Sequence, residues 1–326
     1  MNRYWQVTME DAAQANPLVS GVSGLYNAHF GLHATPFSLT PDTQFFYDHP
    51  SMREALNTLV LAVRSGEGFT KVVSEIGTGK TLLCRTFLAL LRDQFVTAYV
   101  PNPYMEPMTL LLAVADELGV KYAPDVNQHQ ILKLLTNFLI DTFARQQRTV
   151  VVCLDEAHAM PLESLEALRL LSNLETEKRK LLQIVLFGQP ELDVKLREPS
   201  IRQLRQRIAF SCHLRPMTRN ELTRYVSHRL TVAGRGEDEL FTRRALRVLF
   251  VASGGVPRLV NILAHKALAS AYGEGAQRVR ARHVRLAVFD TESTSSVFRR
   301  RLWTRRLLAT GMAGAALAAG VFGSMI

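Results

Sequence analysis

Sulfur ligands are scarce in this chain. Its 326 residues hold three cysteines, Cys84, Cys153 and Cys212, far apart and without a Cys-x-x-Cys pair. An odd count with that spacing argues against a disulfide framework or a structural zinc site. Each cysteine sits among apolar or helix-forming residues, so buried, reduced thiols and a cytosolic setting are expected. A secretory leader is also lacking. The first 24 residues have no basic start followed by an apolar core, and Glu10, Asp11 and Gln14 interrupt any such run. Residues 1–24 are expected to be a disordered extension. Low-complexity tracts are missing. Acids are in deficit, with 29 Asp and Glu against 39 Lys and Arg, a net charge of +10. That excess favours an anionic partner: nucleotide, nucleic acid or a membrane face.

The excess is unevenly placed. Arg299, Arg300, Arg301, Arg305 and Arg306 supply five charges just before residues 307–326, which carry none. About 20 apolar residues can span a bilayer core of ~30 Å. Residues 307–326 are therefore expected to be a transmembrane helix, with a disordered or interfacial tail as the alternative. The basic segment 293–306 before it would keep the bulk of the chain cytoplasmic. Gly311, Gly314, Gly320 and Gly323 offer small-residue spacing for helix association.

The length suggests two domains plus extensions, and 47% hydrophobic residues suffice for a buried core. Pro36 and Pro41 break residues 29–47 into an extended, aromatic-rich strap. Apolar spacing near 3.6 predicts a helix over about 51–65. Strand candidates FTKVVS (69–74), TAYVPNP (97–103), TVVVCLDEAH (149–158) and KLLQIVLFGQPEL (180–192) alternate with helical patterns. Such alternation predicts an α/β fold, a parallel sheet sandwiched by helices. From about residue 217 four helical patterns follow without strands. The expected division is a nucleotide-binding domain over 25–216 and a small all-helical domain over 217–292.

The strongest motif is SEIGTGKT, Ser74 to Thr81. It matches the phosphate-binding P-loop G-x-x-x-x-G-K-[ST], with Ser74 in place of the first glycine. Ser74, Glu75, Ile76, Gly77, Thr78, Gly79, Lys80, Thr81 and Leu82 are the expected nucleotide-binding residues. Gly77 and Gly79 let backbone N–H groups turn inward, Lys80 reaches the β- and γ-phosphates, and Thr81 ligates Mg²⁺. The helix that follows aims its positive end at the phosphates. Ser74 would strain the turn if that position requires positive φ. An accidental Gly-Lys-Thr is the competing reading, and the strand–loop–helix context speaks against it.

The second element is CLDEAH. An acid closing a buried strand is costly unless it serves a metal or a partner. Asp155 fits an Mg²⁺ ligand and Glu156 the base that activates water; a strand ending in surface acids is the plain alternative. His158 is read first as a capping or surface histidine, with a base or ligand as the alternative. Gln189, closing the next strand, either hydrogen-bonds a γ-phosphate or serves turn chemistry with Pro190. Arg202, Arg205 and Arg207 form either a solvated basic face or the source of an arginine supplied to a neighbouring subunit. Arg258, behind Gly-Gly-Val-Pro, suits a lid over the nucleotide or simply marks a helix start. Phe37, Phe45, Phe46 and Tyr47 pack a core or flank an adenine.

The stretches HFGLHATPFSLTPDTQFFY, GEGF, EIGTGKT, LDEAH, LEALRLLSNLETEKRKLLQIVLFGQPEL, RQLRQRI and GGVPRLVNILAHKAL together resemble the ExeA/GspA-type AAA+ ATPases over about residues 25–292. The likeness is closest to members serving the mannose-sensitive haemagglutinin (MSHA) pilus. It implies an AAA+ fold with a helical lid, ATP and Mg²⁺ as cofactors, and ATP hydrolysis. It implies a homo-oligomer, a ring by expectation, with Arg205 or Arg207 as the trans-acting finger. Gln189 would be sensor 1 and Arg258 sensor 2. Implied partners are inner-membrane components of type IV pilus or type II secretion machinery, at the cytoplasmic face of the bacterial inner membrane. Members often begin near the position of Leu25, so residues 1–24 are expected to reflect an upstream start. Some members continue into a periplasmic peptidoglycan-binding domain, which is not expected here. A DNA-binding AAA+ regulator of the transposition type is the alternative. No helix-turn-helix or other base-reading module is evident, so nucleic acid is not an expected partner. A nucleotide-gated scaffold with little turnover is the third reading.

Overall fold

A computed structural model describes residues 26–38, 43–172, 180–236 and 239–291. The chain divides into two compact units, one of residues 41–216 and one combining residues up to 40 with those from 217.

The first unit begins with α1 (Pro50–Arg64), opened by a proline whose missing N–H costs nothing at a helix start. It continues β1 (Phe69–Val73), α2 (Lys80–Leu91), β2 (Val96–Val100), α3 (Pro107–Leu118), α4 (Gln128–Gln146), β3 (Val150–Leu154) and α5 (Leu162–Leu171). Then come β4 (Leu182–Gly188), α6 (Glu191–Lys195), α7 (Arg202–Arg207) and β5 (Ile208–His213). All strand pairings are parallel, in the order β2-β3-β4-β1-β5.

β3 reads as an unbroken apolar run, and β4 as one interrupted by Gln183, because both of their faces are covered. Val150, Val152, Leu154, Ile184 and Leu186 join a core with α3, α4 and α5. Val151, Cys153, Val185 and Phe187 point into a second core with α1 and α2. All three cysteines are free and buried, and burial pushes the Cys84 thiol above its ordinary value. β5 has no counterpart among the four expected strands. Its sequence IAFSCH alternates in burial as an edge strand does, so it lacks the run that marks its neighbours.

The second unit holds α8 (Arg219–Val232), α9 (Arg243–Ser253), α10 (Pro257–Gly273) and α11 (Ala281–Phe289), matching the four helical patterns. Thr218 and Glu221 form a capping box on α8, and Thr242 caps α9. Residues 26–38 also belong to this unit, so the strap expected over 29–47 within the sheet domain is divided: its part up to residue 38 lies here and its part from residue 43 in the first unit. Tyr26 Oη lies 2.7 Å from His265 Nδ1, Arg229 donates to the Pro36 carbonyl, and Phe37 meets Phe241 edge-on at 6.0 Å. Phe37 is thus core packing. The expected extension 1–24, basic segment 293–306 and membrane span 307–326 lie outside the described residues. Among the described residues no helix is long and apolar enough to cross a membrane.

Candidate functional site

The site lies in the first unit, where β1, β3 and β4 end. The loop between β1 and α2 turns back on itself through Gly77 (φ 80°) and Gly79 (φ 107°). The φ of Gly79 favours glycine there; a Cβ would also approach Met52 Cε to 2.9 Å, a contact that the flexible methionine end can relieve. Ser74 needs no such freedom. It is absent from the positive-φ residues of the described chain, so the strain foreseen there does not arise. Its buried hydroxyl sits 2.6 Å from Thr78 Oγ1, and Thr78 in turn donates to Glu75 O at 2.9 Å. Ser74 N–H donates to Gly188 O at 3.1 Å, tying the loop's root to the end of β4.

Lys80 Nζ donates to the carbonyls of Ser74 (2.8 Å) and Glu75 (3.2 Å). The ammonium therefore spans the loop it closes. Burial pulls its pKa below the ordinary lysine value, against the opposing pull of Glu156, Asp155, Glu75 and Glu191. Ile76, at the loop's tip, is 57% exposed.

Thr81 is the second residue of α2, and its hydroxyl donates to Asp155 Oδ2 at 2.7 Å. Asp155 closes β3 and is buried. Its N–H donates to Val100 O, 3.0 Å away at the end of β2. Burial raises its pKa, offset by bonds from the Thr81 hydroxyl, the Glu156 N–H and the Tyr99 hydroxyl. The donor set fits a small divalent cation: a hydroxyl and a carboxylate oxygen meet at hydrogen-bond distance beside the loop that Gly77 and Gly79 turn.

Glu156 holds a left-handed backbone, φ 55°. Outside glycine such a conformation costs about 1–3 kcal/mol and persists only where the surroundings impose it. Gln189 Nε2 donates to Glu156 Oε2 at 3.1 Å, and Gln189 N–H donates to His158 Nδ1 at 3.4 Å. The expected residues Ser74 through Thr81, Asp155, Glu156 and Gln189 thus converge.

Arg205 and Arg207 diverge. Arg207 Nη1 donates to Ser172 Oγ at 3.2 Å and reaches Arg169 O at 3.5 Å, at the end of α5. Arg205 is exposed, and its side chain has no hydrogen-bond or ion-pair partner among the described residues; its carbonyl accepts from Ile208 N–H. Arg258 is exposed in the first turn of α10, in the other unit.

Two contributors, Tyr99 and Lys195, escaped the sequence reading, and a third, His158, was weighed there only as a base or ligand beside the favoured capping or surface reading. Tyr99 Oη donates to Asp155 Oδ2 at 3.4 Å, its pKa raised by burial first and by Asp155 second. His158, read as a surface residue, is one of the partners of Gln189. Lys195 Nζ donates to His158 O at 2.6 Å and to Met160 O. A tyrosine next to the last residue of a strand was the only available signal for Tyr99; Lys195 gave none.

The arrangement has known counterparts. Residues 63–196 match the model of an AAA domain family. The chain is 37% identical over 295 residues to general secretion pathway protein A of Aeromonas hydrophila, covering 90% of this chain and 53% of that protein. It therefore spans about half the length of that relative. Among solved structures, Cdc6p of Pyrobaculum aerophilum matches at a TM-score of 0.61 and 16% identity, over 76% of this chain and 70% of the other. The Aeropyrum pernix ORC1 protein, solved in complex with DNA, matches at 0.57 and 20% identity, over 77% and 68%. At those identities the structures speak for the fold alone, an α/β AAA+ architecture around a parallel sheet. Residues 63–196 thus match an AAA domain, and the chain is a homologue of general secretion pathway protein A over the half of that protein it spans.

Proposed function

We propose that this protein is an ATP-hydrolysing AAA+ ATPase that supports assembly of type II secretion machinery or of a type IV, MSHA-like pilus. It would act at the cytoplasmic face of the bacterial inner membrane. One observation carries the enzymatic part: the 2.7 Å bond between Thr81 and Asp155 joins the phosphate-loop helix to the strand-end carboxylate. In this reading the loop from Ser74 to Leu82 holds the phosphates of ATP, and Lys80 exchanges its carbonyl partners for phosphate oxygens. Thr81 and Asp155 hold Mg²⁺, which neutralises phosphate charge when bound. Glu156 orients the attacking water and takes its proton. Gln189 reads the γ-phosphate as sensor 1, and Arg258 closes over the nucleotide as sensor 2.

The assembly part rests on the likeness to general secretion pathway protein A and on the sequence of residues 293–326, basic and then uncharged. Subunits would assemble into a homo-oligomeric ring, with Arg205 as the finger because Arg207 is committed to its own unit. The test is phosphate release from Mg²⁺-ATP by the full chain. Wild-type protein is expected to turn over. Lys80→Ala should neither bind nor hydrolyse, and Glu156→Gln should bind while losing about 10²–10⁴-fold in kcat. Turnover unaffected by both substitutions would overturn the assignment.

A further inference from the structure

We propose that His158 is a positioning residue for hydrolysis, keeping Glu156 and Gln189 in register, and that Lys195 in turn pins His158. The proposal rests on the ATPase reading of the site.

β3 and β4 end side by side, and each delivers one polar group to the reaction: Glu156 and Gln189. Nothing in the sheet itself fixes these groups relative to each other, because the ladder stops at Leu154↔Leu186. Gln189 supplies the link in two ways. Its side chain holds the Glu156 carboxylate at 3.1 Å, and its backbone N–H donates to His158 Nδ1 at 3.4 Å. A nitrogen that accepts from a backbone N–H carries a lone pair, so the proton of this imidazole sits on Nε2. The 3.4 Å approach of Glu156 Oε2 to the same Nδ1 is then a contact rather than a hydrogen bond. The carboxylate is steered by the Gln189 amide, and the imidazole steers Gln189.

The ring has a fixed seat. Its side chain is 19% exposed. Lys195 Nζ, at the end of α6, donates to the carbonyls of His158 and Met160, clamping the turn after Glu156. Gly188 makes the close approach possible. A Cβ there would come within 2.8 Å of Leu192 and 3.4 Å of His158 N. α6, the end of β4 and the turn from Glu156 to Met160 are therefore one packed piece. The left-handed backbone of Glu156 sits at its centre.

Displacement of a catalytic group by ~1 Å can cost about 10²-fold in rate without touching ground-state binding. The experiment is steady-state Mg²⁺-ATP hydrolysis by the full chain, with kcat and KM resolved, alongside nucleotide binding. His158→Ala is expected to lower kcat about 10- to 100-fold with KM within about threefold. His158→Asn keeps an acceptor at the reach of Nδ1 and should restore kcat to within about threefold of wild type; His158→Gln, whose acceptor lies one bond further out, should not. Lys195→Met, distant from the phosphates, should lower kcat with KM unchanged, and it keeps the test open should His158→Ala fail to fold. Wild-type protein without Lys80-dependent turnover would remove the ATPase reading, and this proposal with it. Given Lys80-dependent turnover, the proposal alone is overturned by a wild-type kcat in His158→Ala, by failure of Asn to outperform Gln, or by a change confined to KM.

Discussion

Lys80 shows how much of this site is prepared in advance. Its ammonium already donates to two loop carbonyls, those of Ser74 and Glu75, so a phosphate must replace two hydrogen bonds as well as water. The same loop carries its departure from the P-loop pattern at Ser74, where the Ser74–Thr78 pair is buried and closed. Ser74→Gly is therefore expected to lower unfolding free energy by about 1 kcal/mol, the net worth of one hydrogen bond. Nucleotide affinity should stay within about threefold, since no left-handed backbone is being relieved. Urea denaturation and ATP titration of the same variant check both. At this scale the sequence was informative where chemistry is contiguous. Ser74 to Thr81 and Asp155 to Glu156 are adjacent in the chain and carry their roles in residue type and order. Tyr99 and Lys195 were not legible, and His158 was named without its partner Gln189, because such contacts depend on which strands and turns lie side by side.

Strands and helices were legible in proportion to how completely they are buried. β3 and β4, covered on both faces, announce themselves as apolar runs, interrupted in β4 by Gln183, whereas β5 alternates and went unseen. α6 is too short for a periodic signal, yet it is tied to β1 by an ion pair between Lys71 and Asp193. His213 on β5 also approaches Asp193, at 3.4 Å. Partial burial of Asp193 alone would raise its pKa, but Lys71 and His213 outweigh it and the net shift is downward. A lowered carboxylate pKa adds stability above its unfolded value of about 4 and loses it as the folded state is protonated below. Asp193→Asn should thus cost about 1–2 kcal/mol at neutral pH, with the gap to wild type closing as pH falls below ~4. Thermal melts across that range test the sign. A gap that widens in acid would contradict it.

The whole molecule was foreseen as sheet unit followed by helical unit. What local pattern could not foretell was that the aromatic strap is divided, its part up to residue 38 belonging with the helices and its part from residue 43 with the sheet. Tyr26, Phe30 and Phe37 look like any apolar cluster until their partners, His265 and Phe241 among them, are placed. The assembly proposal gives a prediction at this scale. Arg205 is free to reach another subunit and Arg207 is not. Arg205→Ala should reduce turnover about 10³-fold or more with an unchanged melting temperature, while Arg207→Ala should lower the melting temperature. Mixing Arg205→Ala with Glu156→Gln, each inactive alone, should restore hydrolysis, because one supplies an intact site and the other the arginine. Mixtures as inactive as their components would contradict a shared site. The most direct test of the central claim is the magnesium dependence of ATP affinity, measured by titration calorimetry on the Glu156→Gln protein. Mg²⁺ should tighten binding by about tenfold or more, some 1.4 kcal/mol, and Thr81→Ala or Asp155→Asn should erase that gain. An ATP affinity indifferent to Mg²⁺, or one that survives Lys80→Ala, would contradict the account.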